Sequence, residues 1–102
     1  MSAPSLLTIA DLQLDTRSMK VNRAGKEITL TPHEFKLLHY LLEHKGSLVT
    51  RKMILTHIWQ YADDVKTRVV DVYIGYLRKK IDQGRVKKLL HSIHGEGYTI
   101  KE

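Results

Sequence analysis

The side chains able to do chemistry are few, and most lack the spacing that chemistry needs. The 102 residues contain no cysteine, so no disulfide or thiolate site can form. Ser47, Ser92 and the threonines have no nucleophile-and-base arrangement around them. The carboxylates are scattered, and no glycine-rich phosphate loop precedes a helix. The sequence therefore points away from an enzyme and implies no cofactor. Six histidines raise the question of a metal, but His91-x-x-His94 is the only close pair. On a strand leading into a turn that spacing does not aim both rings at one point, and no metal is expected. The pattern lies in the basic residues. The chain carries 17 Lys and Arg against 11 Asp and Glu, a formal charge of +6. Residues 1–64 net only +1 and the tail from Leu89 nets −1, so the segment 65–88 holds a net +6. Charge gathered in one segment predicts a polyanionic partner rather than a merely solvated surface.

That segment reads as a helix over 67–81. At 100° per residue Val70, Ile74, Leu77 and Ile81 fall within about 60° of one another, a stripe for the core. The opposite face takes Arg68, Val69, Val72, Gly75, Tyr76, Lys79 and Lys80. A face made only to meet water needs no Val69, Val72 and Tyr76 together. A helix entering a DNA major groove uses cations for phosphates or guanine and apolar groups for thymine methyls. Gly75 inside a helix is destabilising by roughly 0.5–1 kcal/mol relative to alanine, which is best explained by close approach of another body. Asp71 lies towards the core side and is expected to pair with Arg51 or Arg68. Arg78, also towards the core side, is weighed between DNA contact and a structural role, covering helix ends or pairing with an acid.

The elements that hold this helix follow from turn and capping signals. From Leu6 to Leu30 apolar residues alternate as Leu7/Ile9, Leu12/Leu14, Met19/Val21 and Ile28/Leu30. Asp15–Ser18 and Asn22–Gly25 serve as turns, giving an antiparallel sheet of three or four strands. Thr31-Pro32-His33-Glu34 has the parts of a capping box, with proline at the first helical position. Phe35, Leu38, Leu41 and Leu42 form the apolar stripe that follows, and Gly46 is the left-handed stop. Thr50 caps a second helix, with Ile54, Leu55 and Ile58 inward and its end near Trp59. An aspartate of the loop beyond is available to cap the third. Leu89–Ile93 and Tyr98–Ile100 flank His94-Gly95-Glu96-Gly97 as a hairpin, Tyr98 packing it on the core. The fold class is α+β: a winged helix-turn-helix with an N-terminal antiparallel sheet, three helices and a C-terminal β-hairpin wing. Residues 6–102 form that domain, and residues 1–5 read as a linker or cloning remnant.

Several motifs occur together in this order: Leu30-Thr31-x-x-Glu34-Phe35-x-Leu37-Leu38, Gly46, Val49-x-Arg51 and Ile58-Trp59. Arg68-Val69-Val70-Asp71-Val72-x-Ile74-x-x-Leu77-Arg78-x-Lys80 and Gly95-x-Gly97-Tyr98 complete them. From about Leu7 to Ile100 the chain resembles the C-terminal effector domain of OmpR/PhoB-type two-component response regulators. The resemblance implies binding to double-stranded promoter DNA as tandem protomers, and contact with RNA polymerase. It places DNA contacts on Arg68, Val69, Val72, Tyr73, Tyr76, Arg78 and Lys79, with Trp59 at a phosphate and Ser92 and His94 on the wing. It places polymerase contacts on Gln60, Tyr61, Ala62, Asp63, Asp64, Val65 and Lys66. Gly75, Tyr76 and His94 depart from the arginine or polar residues that many members carry there, so no target sequence transfers. A sensor kinase would act only through a receiver domain absent from this chain, which is expected to be a fragment. No apolar run reaches the length of a membrane span and no signal peptide is evident, so a cytoplasmic, membrane-free setting is expected. A different class of function remains: a winged helix whose Val69, Val72 and Tyr76 dock a protein partner, or one that binds RNA.

Overall fold

Residues 5–60 and 67–102 are described in a computed structural model. The first four strands, β1 (Leu6–Ile9), β2 (Leu12–Asp15), β3 (Lys20–Arg23) and β4 (Lys26–Ile28), form an antiparallel meander in chain order. Alternation sends Ile9, Leu12, Leu14 and Val21 into the core. Two of the sequence expectations need correction here. Met19 belongs to no strand; it turns the chain at φ 58° and is 58% exposed. Asn22 and Arg23 belong to β3 rather than to a turn, and Arg23 is among the most deeply buried side chains.

Helix α1 (Pro32–Glu43) begins as its sequence requires. Thr31 Oγ1 accepts from the Glu34 N–H at 3.3 Å, and Glu34 Oε1 accepts from the Thr31 N–H at 2.8 Å. Gly46, three residues past the last helical residue, takes φ 82° and donates its N–H to the Ile100 carbonyl at 2.9 Å. Strand β5 (Val49–Thr50), which sequence reasoning missed, pairs with the last strand of the chain. Thr50 then caps α2 (Arg51–Ile54), as expected. The second helix does end at Trp59, but Leu55–Trp59 is wound as a π-helix, and Gln60 closes it at φ 57°. Helix α3 spans Val69–Ile81, and the hairpin is β6 (Leu90–Ile93) and β7 (Gly97–Ile100). The second sheet has the order β5–β7–β6.

The core lies where α1, the second helix and α3 meet both sheets. It contains Phe35, Leu37, Leu38, Leu41, Ile54, Leu55, Ile58, Val70, Ile74, Leu77 and Ile81. This is the winged-helix plan, with α3 supported on one side and the β6–β7 hairpin beside it. Among the described residues no helix is long and apolar enough to cross a membrane.

Candidate nucleic-acid interface

Helix α3 has one face fully committed to the fold. Val70, Ile74, Leu77 and Ile81 are all buried, the stripe that helical spacing predicts. Thr67 Oγ1 accepts from the Val69 N–H at 3.2 Å, so the helix opens on a local hydroxyl with Arg68 exposed at its start. The aspartates expected to cap it lie outside the described residues. The outward face carries Arg68, Val72, Gly75, Tyr76 and Lys79. Val72 and Tyr76 remain 43% and 45% exposed.

Three residues expected on that face or at the DNA behave differently. Val69 is half-buried and packs on the core. Tyr73 is also half-buried, edge-on to Trp59 at 5.1 Å and to Tyr76 at 5.3 Å. Trp59 stacks in turn on His33 at 5.4 Å, so His33, Trp59, Tyr73 and Tyr76 form one aromatic run that emerges at Tyr76. Lys80 swings away to α1, where its Nζ lies 2.6 Å from the buried Glu34 carboxylate. Burial pushes the Glu34 carboxyl up. Hydrogen bonds from Lys80 and Thr31, with the charge of Lys80, outweigh that and leave it below its ordinary value.

Other cations of the 65–88 segment also have partners within the chain. Arg85 and Lys88 donate to the carbonyls of Arg23 and Asp82 at 3.3 and 2.9 Å, and Lys87 pairs with Glu102 at 3.4 Å. The basic segment is thus partly structural; among its described residues Arg68 and Lys79 are exposed on the outward face, whereas Lys80, also exposed, is engaged with Glu34.

The hairpin is fastened to α3 by a polar network. Arg78 Nη2 donates to Ser92 Oγ on β6 at 2.6 Å, and its guanidinium lies over the Tyr98 ring at 5.8 Å. Arg51 occupies the same ring at 5.1 Å and donates from Nε to Asp71 Oδ1 at 2.8 Å, one of the two partners expected for Asp71. The Tyr98 hydroxyl donates to that carboxylate too. Burial raises the Asp71 carboxyl, but the hydrogen bonds of Tyr98 and Arg51 and the nearby positive charge hold it below the usual carboxylate range. Burial and the bond to Asp71 push the Tyr98 phenol up. Among the described residues Arg78 pairs with no acid, and it bridges two elements. Arg51 was singled out in the sequence as a partner of Asp71 and in the Val49-x-Arg51 motif; its place against the hairpin depends on β5–β7 pairing.

A second junction lies at the far end of α3. The buried Arg23 guanidinium donates to Asp11 and Asp82 at 2.9 Å each, and to the Ile81 and Lys87 carbonyls at 2.6 Å each. Asp82 also accepts from the Leu89 and Leu90 N–H groups. One residue of the first sheet thus holds the end of α3 and the entry to β6. Of the remaining assigned positions, Ser92 and His94 are exposed, His94 in the hairpin turn, and Gln60 is exposed after Trp59. Tyr61, Ala62, Asp63, Asp64, Val65 and Lys66 lie outside the described residues, as do the first four of the proposed linker. Among the described residues no cluster of three or more His, Asp or Glu could hold a metal ion.

Residues 25–100 match the family described as "Transcriptional regulatory protein, C terminal". The transcriptional regulatory protein YkoG of Bacillus subtilis is 45% identical over 97 residues, covering 95% of this chain and 42% of that protein. The response regulator ArlR of Staphylococcus aureus is 38% identical over 96 residues, 94% of this chain and 44% of its own length. The chain therefore spans less than half the length of these relatives. Among solved structures, the Klebsiella pneumoniae RstA DNA-binding domain in complex with the RstA box superposes with a TM-score of 0.86. It is 26% identical, over 94% of this chain and 96% of that one.

Proposed function

The chain belongs to the family of transcriptional-regulator C-terminal domains of the OmpR/PhoB response-regulator type, and from that premise we propose the following division of labour at its DNA. The domain is a sequence-specific DNA-binding domain of transcription regulation, and its family is not one of enzymes. Helix α3 enters the major groove with Arg68, Val72 and Tyr76 towards base edges, while Lys79, Arg78 and Trp59 meet phosphates. Val69 and Tyr73, packed behind that face, support it and contact DNA only at its margin. Ser92 and His94 bring the hairpin to the neighbouring minor groove. The observation that carries this reading is the mixed face of Arg68, Val72, Tyr76 and Lys79 on a helix whose other face is buried, beside a hairpin pinned to it by Arg78 and Ser92.

The intact protein would add a receiver domain answering to a sensor kinase. It would bind promoter direct repeats as tandem protomers in the cytoplasm, with the segment Gln60–Lys66 turned to RNA polymerase. The test is the salt dependence of duplex binding. Affinity should fall by about 0.9 log units per log unit of salt for each phosphate neutralised. Lys79→Ala should reduce the slope by about one such contact on cognate and scrambled duplexes alike. Val72→Ala should alter preference at one base position by roughly 1–3 kcal/mol. Affinity independent of salt would refute the reading and favour a protein partner at Val72 and Tyr76.

A further inference from the structure

Helix α3 carries one acid, Asp71 in its first turn, and the side chain is 41% exposed. A carboxylate beside a polyanion repels it, so the use of Asp71 is to be sought within the chain. Two other elements hold it at once. Arg51, the first residue of α2, donates from Nε to Asp71 Oδ1 at 2.8 Å, and the Tyr98 hydroxyl of β7 donates to the same oxygen. Arg51 closes the triangle: its Nη2 donates to the Tyr98 oxygen at 3.3 Å, and its guanidinium lies over the ring at 5.1 Å. Arg78 stands about 10 Å further along α3 and on the same side of it within about 20°. It lies over the Tyr98 ring at 5.8 Å and reaches Ser92 at 2.6 Å. Helix α3 thus meets the Tyr98 side chain at two points, the hydroxyl at Asp71 and the ring at Arg78. Tyr98 follows Gly97, whose pairing with Ile93 closes the hairpin turn that bears His94. What holds Tyr98 therefore sets where that turn stands relative to α3. We propose that Asp71 is a positioning residue for DNA binding: by joining the Tyr98 hydroxyl to the Arg51 guanidinium, its carboxylate fixes the hairpin at the interval from α3 that lets both enter adjacent grooves at once.

This inference rests on the reading of α3 in the major groove and the hairpin in the minor groove, and the test tells their failures apart. A duplex is selected from a random pool with the unaltered chain. Hydroxyl-radical cleavage then maps its minor-groove protection, and single base-pair substitutions map base preference. Asp71→Asn keeps the shape and removes a negative charge, so a residue that did no more than repel phosphate would leave a tighter binder. The variant should instead bind the selected duplex at least about fivefold more weakly. It should bind scrambled duplex no more weakly than the parent, lose the hairpin's protection and keep its base preference elsewhere in the site. Tyr98→Phe, which changes no charge, should do the same. The double variant should be little weaker than either alone, because both break one link. The Arg51–Asp71 pair is half-exposed, so melting temperatures should fall by less than about 8 °C. A larger fall makes the network a support of the fold and overturns the inference. So does an Asp71→Asn variant that binds as tightly as the parent or keeps the hairpin's protection. A parent with base preference but no minor-groove protection removes the hairpin reading and this inference with it. If no duplex is enriched at all, the DNA reading falls as well.

Discussion

Replacing Arg23 with methionine removes a charge that sequence patterning placed in a surface turn and that the structure buries to 1% exposure. Four hydrogen bonds disappear with it, to Asp11, Asp82 and the carbonyls of Ile81 and Lys87. The methionine fills part of the volume but offers no donor. The two carbonyls lose their partner, and the Asp82 carboxylate, itself 4% exposed, keeps only the Leu89 and Leu90 N–H groups. Breaking a buried ion pair from one side destabilises by about 3–5 kcal/mol, because an uncompensated charge stays behind. The two remaining backbone donors favour the lower end of that range. Against a total stability of about 5–15 kcal/mol for a domain of this kind, even 3 kcal/mol is a large fraction. Urea denaturation followed by Trp59 fluorescence and circular dichroism measures it directly. Asp82→Asn in the Arg23→Met background removes the stranded charge, so the double variant should be more stable than the sum of the single losses predicts, by about 1–3 kcal/mol. A loss below about 1 kcal/mol for Arg23→Met, or strict additivity in the double variant, would refute the argument that Arg23 anchors α3 and β6 to the first sheet.

Two further outcomes follow from other junctions. Gly97→Ala would put a methyl 2.2 Å from the Val49 carbonyl oxygen at a φ of 154°, so β5 must part from β7; Gly84→Ala, at φ 78° with nothing within 4 Å, meets backbone strain alone. Gly97→Ala should therefore be the more destabilising in thermal melts, with faster hydrogen exchange at Val49 and Thr50, and equal effects of the two would contradict the close approach. In acid, Glu34 titrates below its ordinary 4.5 in the folded state, because Lys80 and Thr31 outweigh its burial. A depressed carboxyl contributes stability that is present above its unfolded value and is lost as pH falls through its folded one. Lys80→Ala should therefore flatten the loss of urea stability between about pH 5 and 3; an unchanged pH profile would show that Lys80 does not tune Glu34.

The features legible in the sequence are those written within one or two turns of chain. The stripe Val70, Ile74, Leu77 and Ile81 recurs at the helical period, and all four are buried. The Thr31–Glu34 capping box closes on itself across three residues. The hairpin is marked by its own two glycines, and the order of elements sufficed for a winged helix-turn-helix. The functional face was read less completely, since helical spacing tells which residues face away from the core but not what else lies there. Lys80 falls on the outward arc by angle and stays exposed, yet its Nζ is drawn to Glu34, 46 residues away, because the buried carboxylate needs a partner. Tyr73 meets Trp59 at the end of the second helix, and Val69 packs against the core, contacts that helical spacing alone does not reveal. Arg23 lies in an Asn-Arg-Ala-Gly string that resembles a turn, and only the end of α3, 58 residues on, supplies the carbonyl that keeps its charge inside. Strand β5 and the need for glycine at 97 likewise exist only once Val49 meets Tyr98 and Thr50 meets Gly97. By itself the sequence determined the elements and the inward face of each, because periodicity and capping act between neighbours along the chain. The tertiary structure decided which charges stay available to DNA and what fixes the hairpin to α3, because those depend on groups that only chain closure brings within hydrogen-bonding distance.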